Sequence, residues 1–309
     1  ESLETPMVGL SKGDWLEALA TASDEMGFFE PLGTRHYASF IEKSDTLLVT
    51  FENLQGIQSL SENGQPLGWD MVRENGWSHL CLISDGDTWF RDQAVHGYFD
   101  RLIDDGFFDE FETVLFYGAG PCGYAAAAYS VASPGARVLA IQPQATLDPR
   151  VTEWDPRFTD MRLQDFTSRY GYAPDMLDAA DHAYVLYDPR EALDAMHAAL
   201  FRGVNLRKYR CRFMGHRIAS LWLQMGVLKP VIEGCVAGTM TAPDFYTLLR
   251  RRRDTPRYQK EMLQTLEKLN RPRLLARYCR AVLARRRGPH FRKALRAAED
   301  RIAKYDRKG

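Results

Sequence analysis

Short apolar runs recur along the first three-quarters of the chain, at residues 46–51, 79–84, 112–117, 137–141, 183–187 and 206–213. Each is too short for a buried helix, and several are rich in β-branched residues, so each predicts a strand. Between them apolar residues fall at helical spacing. Tyr98, Phe99 and Leu102 share a face of a helix over 95–103, and further helices follow over 124–131, 191–201 and 218–228. Strands that are apolar without alternation, interleaved with helices, predict an α/β fold: a doubly wound, mainly parallel sheet covered on both faces. Residues 1–44 read as a helical lead-in with Trp15, Leu16 and Leu19 on one face. Residues 145–181, rich in Asp, Arg, Trp and Tyr, read as an insertion forming a lid over the strand ends. Past residue 250 the period is helical again. Met262, Leu263, Leu266 and Leu269 form one stripe, and Leu274, Leu275, Tyr278, Val282 and Leu283 another. Pro272 and the pair Gly288-Pro289 break the helices. The expected organisation is therefore a lead-in over 1–44, an α/β domain over 45–240 and a helical C-terminal extension over 241–309.

Composition changes this picture only in its distribution of charge. The 309 residues are 45% hydrophobic and 26% charged, which excludes disordered and low-complexity classes. The net charge is -1, but residues 250–309 hold 21 Lys+Arg against 6 Asp+Glu, a net of +15. The first 249 residues hold 19 basic against 35 acidic residues, a net of -16. The run Arg250-Arg251-Arg252-Arg253 sits at the join. It is an anion-binding candidate for nucleic acid, a lipid surface or an acidic polymer, and the plainer reading is a helical appendage neutralising the acidic domain or a second copy of the chain. The five cysteines, Cys81, Cys122, Cys211, Cys235 and Cys279, lie far apart with no metal-ligand spacing, so no metal and no cofactor is expected, and reduced thiols in a cytoplasmic setting are. No run suits a membrane span, and the first ten residues lack the pattern of a leader.

In doubly wound sheets ligands sit at the carboxyl ends of the strands. Here that edge carries Phe51-Glu52-Asn53, Asp85-Gly86-Asp87, residues 118–123, residues 142–144, Asp188 and Gly215-His216. Gly118-x-Gly120-x-x-Gly123 has the spacing of a dinucleotide loop, but its strand is not the first, and Gln142 follows the next strand where a ribose-binding acid would stand. The segment Tyr117-Gly118-Ala119-Gly120-Pro121-Cys122-Gly123-Tyr124 lies between a strand and a helix and resembles the nucleophile elbow of the α/β-hydrolase superfamily. The order Gly120, Asp188, His216 is similar to that family's order of nucleophile, acid and histidine. The resemblance spans roughly residues 45–235 and implies a catalytic role for Asp188 and His216. It also implies a degenerate elbow. Gly120 has no side chain to attack with, and Pro121 has no N–H to donate to an oxyanion. Cys122 is the replacement nucleophile to weigh, but Tyr124 fills a place where the tight turn needs a small residue, so a small packed thiol is the plainer reading.

These residues leave several functions open. The first is a non-catalytic or degenerate hydrolase-like protein, binding a small anionic or carbohydrate-like ligand through Gly118, Gly120, Pro121, Gly123, Asn53 and Gln142. A second is a hydrolase or acyltransferase using His216 with Asp188, or Cys122, on an ester or acyl substrate. A third is anionic-polymer or nucleic-acid binding by the basic extension. The chain is also similar to alphaproteobacterial proteins of which some carry a sulfonucleotide reductase label, although it lacks that enzyme's Ser-Gly-Gly-x-Asp-Ser and Glu-Cys-Gly-x-His motifs. Asp194 and His197, three apart on one helix, are expected as a surface pair.

Overall fold

The structure, a computed structural model, describes residues 2–307. Its strands are β1 (Gly27–Leu32), β2 (His36–Ile41), β3 (Thr46–Asn53), β4 (Ser78–Ser84), β5 (Thr113–Ala119), β6 (Arg137–Ile141), β7 (His182–Tyr187) and β8 (Leu206–Arg210). The helices of the first part are α1 (Lys12–Asp24), α2 (Leu54–Leu60), α3 (Gly68–Asn75), α4 (Gln93–Asp104), α5 (Pro121–Tyr129), α6 (Pro149–Thr152), α7 (Ala192–Leu200), α8 (Ile218–Gln224), α9 (Leu228–Val236) and α10 (Ala242–Leu249). Three more follow: α11 (Pro256–Lys268), α12 (Pro272–Leu283) and α13 (Pro289–Asp306).

The strands form one sheet in the order β1-β2-β4-β3-β5-β6-β7-β8. β2 is antiparallel to both neighbours, and every pair from β4 to β8 is parallel. On one face α4 and α5 press Phe99 and the run Ala125 to Ala128 onto Val49, Phe51 and Phe116. On the other, Trp15, Leu19 and Trp69 of α1 and α3 cover Ile41, Cys81 and Ile83. Four successive alanines in α5 let that helix approach the sheet closely, and Cys122 to Tyr129 are all buried. The architecture is α/β, a doubly wound, mainly parallel sheet of the α/β-hydrolase type, with a helical C-terminal region.

Three local expectations need correction. The lead-in is helical only in a short 3-10 turn, Ser2–Glu4, and in α1; residues 27–41 form the hairpin β1–β2, joined through Gly33 at φ +66. β1 is a half-exposed edge strand and β2 is covered on both faces, so neither carries the polar–apolar alternation that marks a strand. The last strand stops at Arg210 rather than running to residue 213, and the helix expected over 218–228 is two helices parted at Gly226 (φ +63).

The chain forms two compact units, Glu1–Phe245 and Tyr246–Gly309. The second is built from α11, α12 and α13 around a small core including Leu263, Leu266, Leu275, Cys279, Val282 and Phe291. Each of its helices has proline in the first turn, where a missing N–H costs nothing, and Thr255 caps α11 by accepting from the Tyr258 N–H at 3.3 Å. All five cysteines are free and buried. Among the described residues no helix is long and apolar enough to cross a membrane.

Candidate functional site

The turn from β5 into α5 has the backbone of an elbow. Gly120, at its apex, takes φ +60 and ψ -125, a conformation that strains any residue with a Cβ. A Cβ built there meets nothing within 4 Å, so the apex faces open space. Gly118 is required for a different reason: its Cβ would lie 2.0 Å from the Cys122 carbonyl oxygen, so only glycine lets the helix start fold back on the strand. Gly123 is less confined, with the Ile141 carbonyl oxygen 3.0 Å from its Cβ position, a contact that a small shift would relieve. The Gly120 N–H donates to the Ile141 carbonyl at 2.8 Å, and Pro121 has no N–H, so neither group is available to an incoming oxyanion.

Among the described residues, no hydrogen bond joins Asp188 to His216, the acid and histidine of the expected catalytic set. Asp188 is fully buried, and backbone groups occupy its carboxylate. One oxygen accepts from the Arg190 N–H at 3.0 Å, the other from Met214 at 2.9 Å and Gly215 at 2.8 Å. His216 is exposed and has no hydrogen-bond partner among the described residues. The acid thus shapes the loop after β8 instead of orienting the imidazole. Cys122 is buried in the first turn of α5, and burial pushes its thiol well up, so it is protonated at neutral pH.

Gln142 is a clamp. It sits at φ +49 with 7% exposure. Its amide nitrogen donates to Asp194 at 2.8 Å and to the Gly215 carbonyl at 3.2 Å, while its oxygen accepts from the Ile218 N–H at 3.2 Å. Both amide N–H donors are thereby taken. The same network corrects the expected surface pair, because Asp194 and His197 are both buried. Asp194 accepts from Arg157 at 2.7 Å, and Arg157 also chelates Asp155 at 2.8–3.2 Å. Asp155 in turn accepts from His197 Nε2 at 3.0 Å. His197 Nδ1 accepts from the Ala145 N–H at 3.1 Å, which fixes the tautomer with the proton on Nε2. Burial, the largest influence, holds this imidazole below its usual pKa against the pull of Asp155. The sequence signal for the pair was its spacing; its burial depends on the insertion folding over α7.

A cavity of about 540 Å³ opens beside the elbow, between the carboxyl ends of β3 and β5 and helices α2, α3 and α8. Ala119 and Cys122 form its elbow wall, and Glu52 and Asn53 its β3 wall. Ile57, Leu60, Leu223 and Leu228 give it apolar surface, while Ser61, Gln65, Ser220 and Gln224 give it neutral polar groups. Of the expected ligand contacts, Asn53 lines this cavity; Gly118, Gly120, Pro121, Gly123 and Gln142 do not. The Asn53 amide also donates to Asp87 at 3.1 Å, and its oxygen caps α2.

The sequence places Glu52 at the ligand edge without assigning it a role, although a carboxylate closing an apolar strand is a visible signal. Glu52 accepts from the Thr50 hydroxyl at 2.7 Å and from the Leu67 N–H at 3.1 Å. Burial holds its carboxyl above the usual range, against these two donors. Because Thr50 donates to Glu52, its oxygen accepts from His79 Nε2 at 2.8 Å. Burial keeps His79 neutral, with its pKa lowered to about 3. Glu52, His79 and Cys81 each bring a potential ligand atom within 4.8 Å of the others, the spacing of a metal site, but Thr50 already binds two of them together. The expected anion-binding run forms a tight turn, Arg250–Asp254, in which Arg252 donates to the Leu249 carbonyl at 3.0 Å and lies over Tyr258.

No protein-family model matches the chain, and no curated protein matches it. Solved structures similar to it include an esterase of Pyrobaculum calidifontis, 14% identical, with a TM-score of 0.45 over 75% of this chain and 93% of that one. A carboxyl esterase of Tuber melanosporum is 16% identical, with a TM-score of 0.43 over 68% of this chain and 82% of that one. The capsule O-acetyltransferase of Neisseria meningitidis serogroup A is 12% identical, with a TM-score of 0.41 over 64% of this chain and 91% of that one. The α/β-hydrolase type of fold rests on this chain's own strand order and crossovers.

Proposed function

We propose that this chain is a non-catalytic binding protein on an α/β-hydrolase-type fold, and that the cavity beside the elbow takes a small, neutral, polyhydroxylated ligand of carbohydrate-like chemistry. One observation carries the reading: the elbow keeps its strained backbone and open apex, and the apex residue is Gly120 followed by Pro121. A covalent acyl route has no atom to start from at the apex, the nearby Cys122 thiol is held protonated by burial, and an oxyanion finds no donor in the adjoining residue. Charge narrows the ligand. Glu52, Glu62, Asp70 and Glu74 line the cavity and, among the described residues, no lysine or arginine does; Arg73 and Lys229 pair with Asp70 and Glu74, and the remaining carboxylates still disfavour a small anion. Amides, hydroxyls and apolar walls together suit a sugar-like molecule, whose hydroxyls both donate and accept. The enzyme reading, a hydrolase or acyltransferase using Asp188 and His216, has less support, because backbone N–H groups hold the acid.

Calorimetric titration with a panel of monosaccharides, disaccharides and short anionic controls tests this reading. The expected result is saturable binding of a neutral sugar, lost in Leu223→Trp, which fills the cavity, with the thermal melt preserved. Turnover of ester, thioester or lactone substrates that His216→Ala abolishes, or an acyl adduct trapped on the wild-type chain, overturns it.

A further inference from the structure

We propose that one end of the C-terminal three-helix unit docks on an anionic lipid bilayer surface. Two cross-links define that end. Arg273 at the start of α12 pairs with Asp306 at the end of α13 at 2.8 Å, and Arg301 of α13 donates to Asn270 in the α11–α12 turn at 3.3 Å. The turn and the end of α13 therefore form one surface. From Pro256 onward, the exposed large apolar side chains among the described residues are Leu269 (57%), Leu274 (42%) and Tyr305 (61%), and all three belong to this end. The other large apolar residues of this stretch pack into or against the unit's core, except Tyr258, which is buried beside Arg252. Exposed bases flank the three along the chain: Lys268, Arg271, Arg273, Arg301, Lys304 and Arg307, against the carboxylates of Glu267, Asp300 and Asp306.

The combination selects the partner. Bases near an anionic leaflet gain from its surface potential within a Debye length, about 8 Å at physiological salt. Leucines at the tip gain by entering the boundary between headgroups and acyl chains, where a tyrosine ring, apolar with a polar edge, also settles. A nucleic acid satisfies the bases but leaves Leu269 and Leu274 in water. Neither signal alone holds a protein on a membrane, and the pair together does. This surface is independent of the cavity, so it stands or falls without the binding reading.

The full chain is sedimented with vesicles of phosphatidylcholine alone and of phosphatidylcholine mixed with phosphatidylglycerol. The expected result is sedimentation with the anionic vesicles only, weakened by added salt. The double variant Leu269→Ser/Leu274→Ser lowers that affinity by about tenfold, as expected for losing shallow burial of two side chains. Arg271→Glu/Lys304→Glu removes binding. All four positions are exposed, so both variants retain the parent melt. Equal binding to neutral vesicles, an unchanged affinity in the leucine variant, or binding to duplex RNA that displaces the chain from vesicles overturns the proposal.

Discussion

Gly118 and Gly120 lie two residues apart and are glycines for opposite reasons. Gly118 has no room, since its Cβ would overlap the Cys122 carbonyl, whereas Gly120 has room but a backbone angle that side chains resist. Substitution separates the two. Gly118→Ala forces the strand and helix start apart and is expected to cost more than about 3 kcal/mol, in the range of severe packing errors, read by chemical denaturation. Gly120→Ser places a hydroxyl in open space and costs about 1–3 kcal/mol of backbone strain. It is expected to give no esterase activity, since no acid is hydrogen-bonded to His216 and Pro121 offers no oxyanion donor. An acyl-enzyme burst from this variant, followed by mass spectrometry, would show that a base reaches the apex.

At the scale of elements, the insertion over 145–181 is held by a chain of buried polar contacts rather than by apolar burial alone. Gln142, Asp194, Arg157, Asp155 and His197 link the ends of β6 and β8, helix α7 and the insertion. Cutting this chain at one point leaves partners unpaired. Asp194→Ala leaves Arg157 with Asp155 alone and frees the Gln142 amide; since Arg157 is 30% exposed, the loss is expected near the lower end for buried pairs, about 1–3 kcal/mol. Amide hydrogen exchange would localise it, with protection falling in residues 145–181 before the strands. Uniform loss across the sheet would instead mean that the network belongs to the global core.

For the whole molecule, acid stability depends on histidines that fold buried and neutral. Burial lowers His36 to about 4, His79 to about 3 and His96 to about 4, with nearby arginines assisting at His36 and His96. An unfolded histidine takes up a proton near pH 6.5 and these do not, so the unfolded state binds more protons below that pH. Stability is therefore complete above about pH 6.5 and is lost as pH falls toward 4, by up to about 1.4 kcal/mol per pH unit for each fully shifted group. Glu52, shifted upward, works the other way in part of this window, one group against these three and His197, which burial also lowers. Denaturation midpoints measured between pH 7 and 4 should fall steadily, and a flat profile would mean the imidazoles are hydrated. The five buried thiols give a companion test: a disulfide reagent should label none in the native state and all five after unfolding.

The parallel core of the sheet was legible because its strands, buried on both faces, are written as short unbroken apolar runs, and residues 46–51, 79–84 and 137–141 all lie inside β3, β4 and β6. The elbow was legible for the same local reason, since glycine spacing and a following proline constrain a turn without help from the rest of the chain. The basic helical unit was legible from its period and charge. What the sequence left open is what distant segments decide. β2 becomes a strand by pairing with β4 and β1 by pairing with β2, and a half-covered edge has no period of its own. Asp188 follows a strand where an acid is expected, but the loop after β8 turns its backbone N–H groups onto that carboxylate. His197 is buried only because the insertion folds over α7, and Glu52 matters only because α2, α3 and α8 leave a cavity beside it. Local pattern determines which element a segment can form. Only tertiary packing decides which polar groups are taken by backbone and which are left facing a space that a ligand can enter.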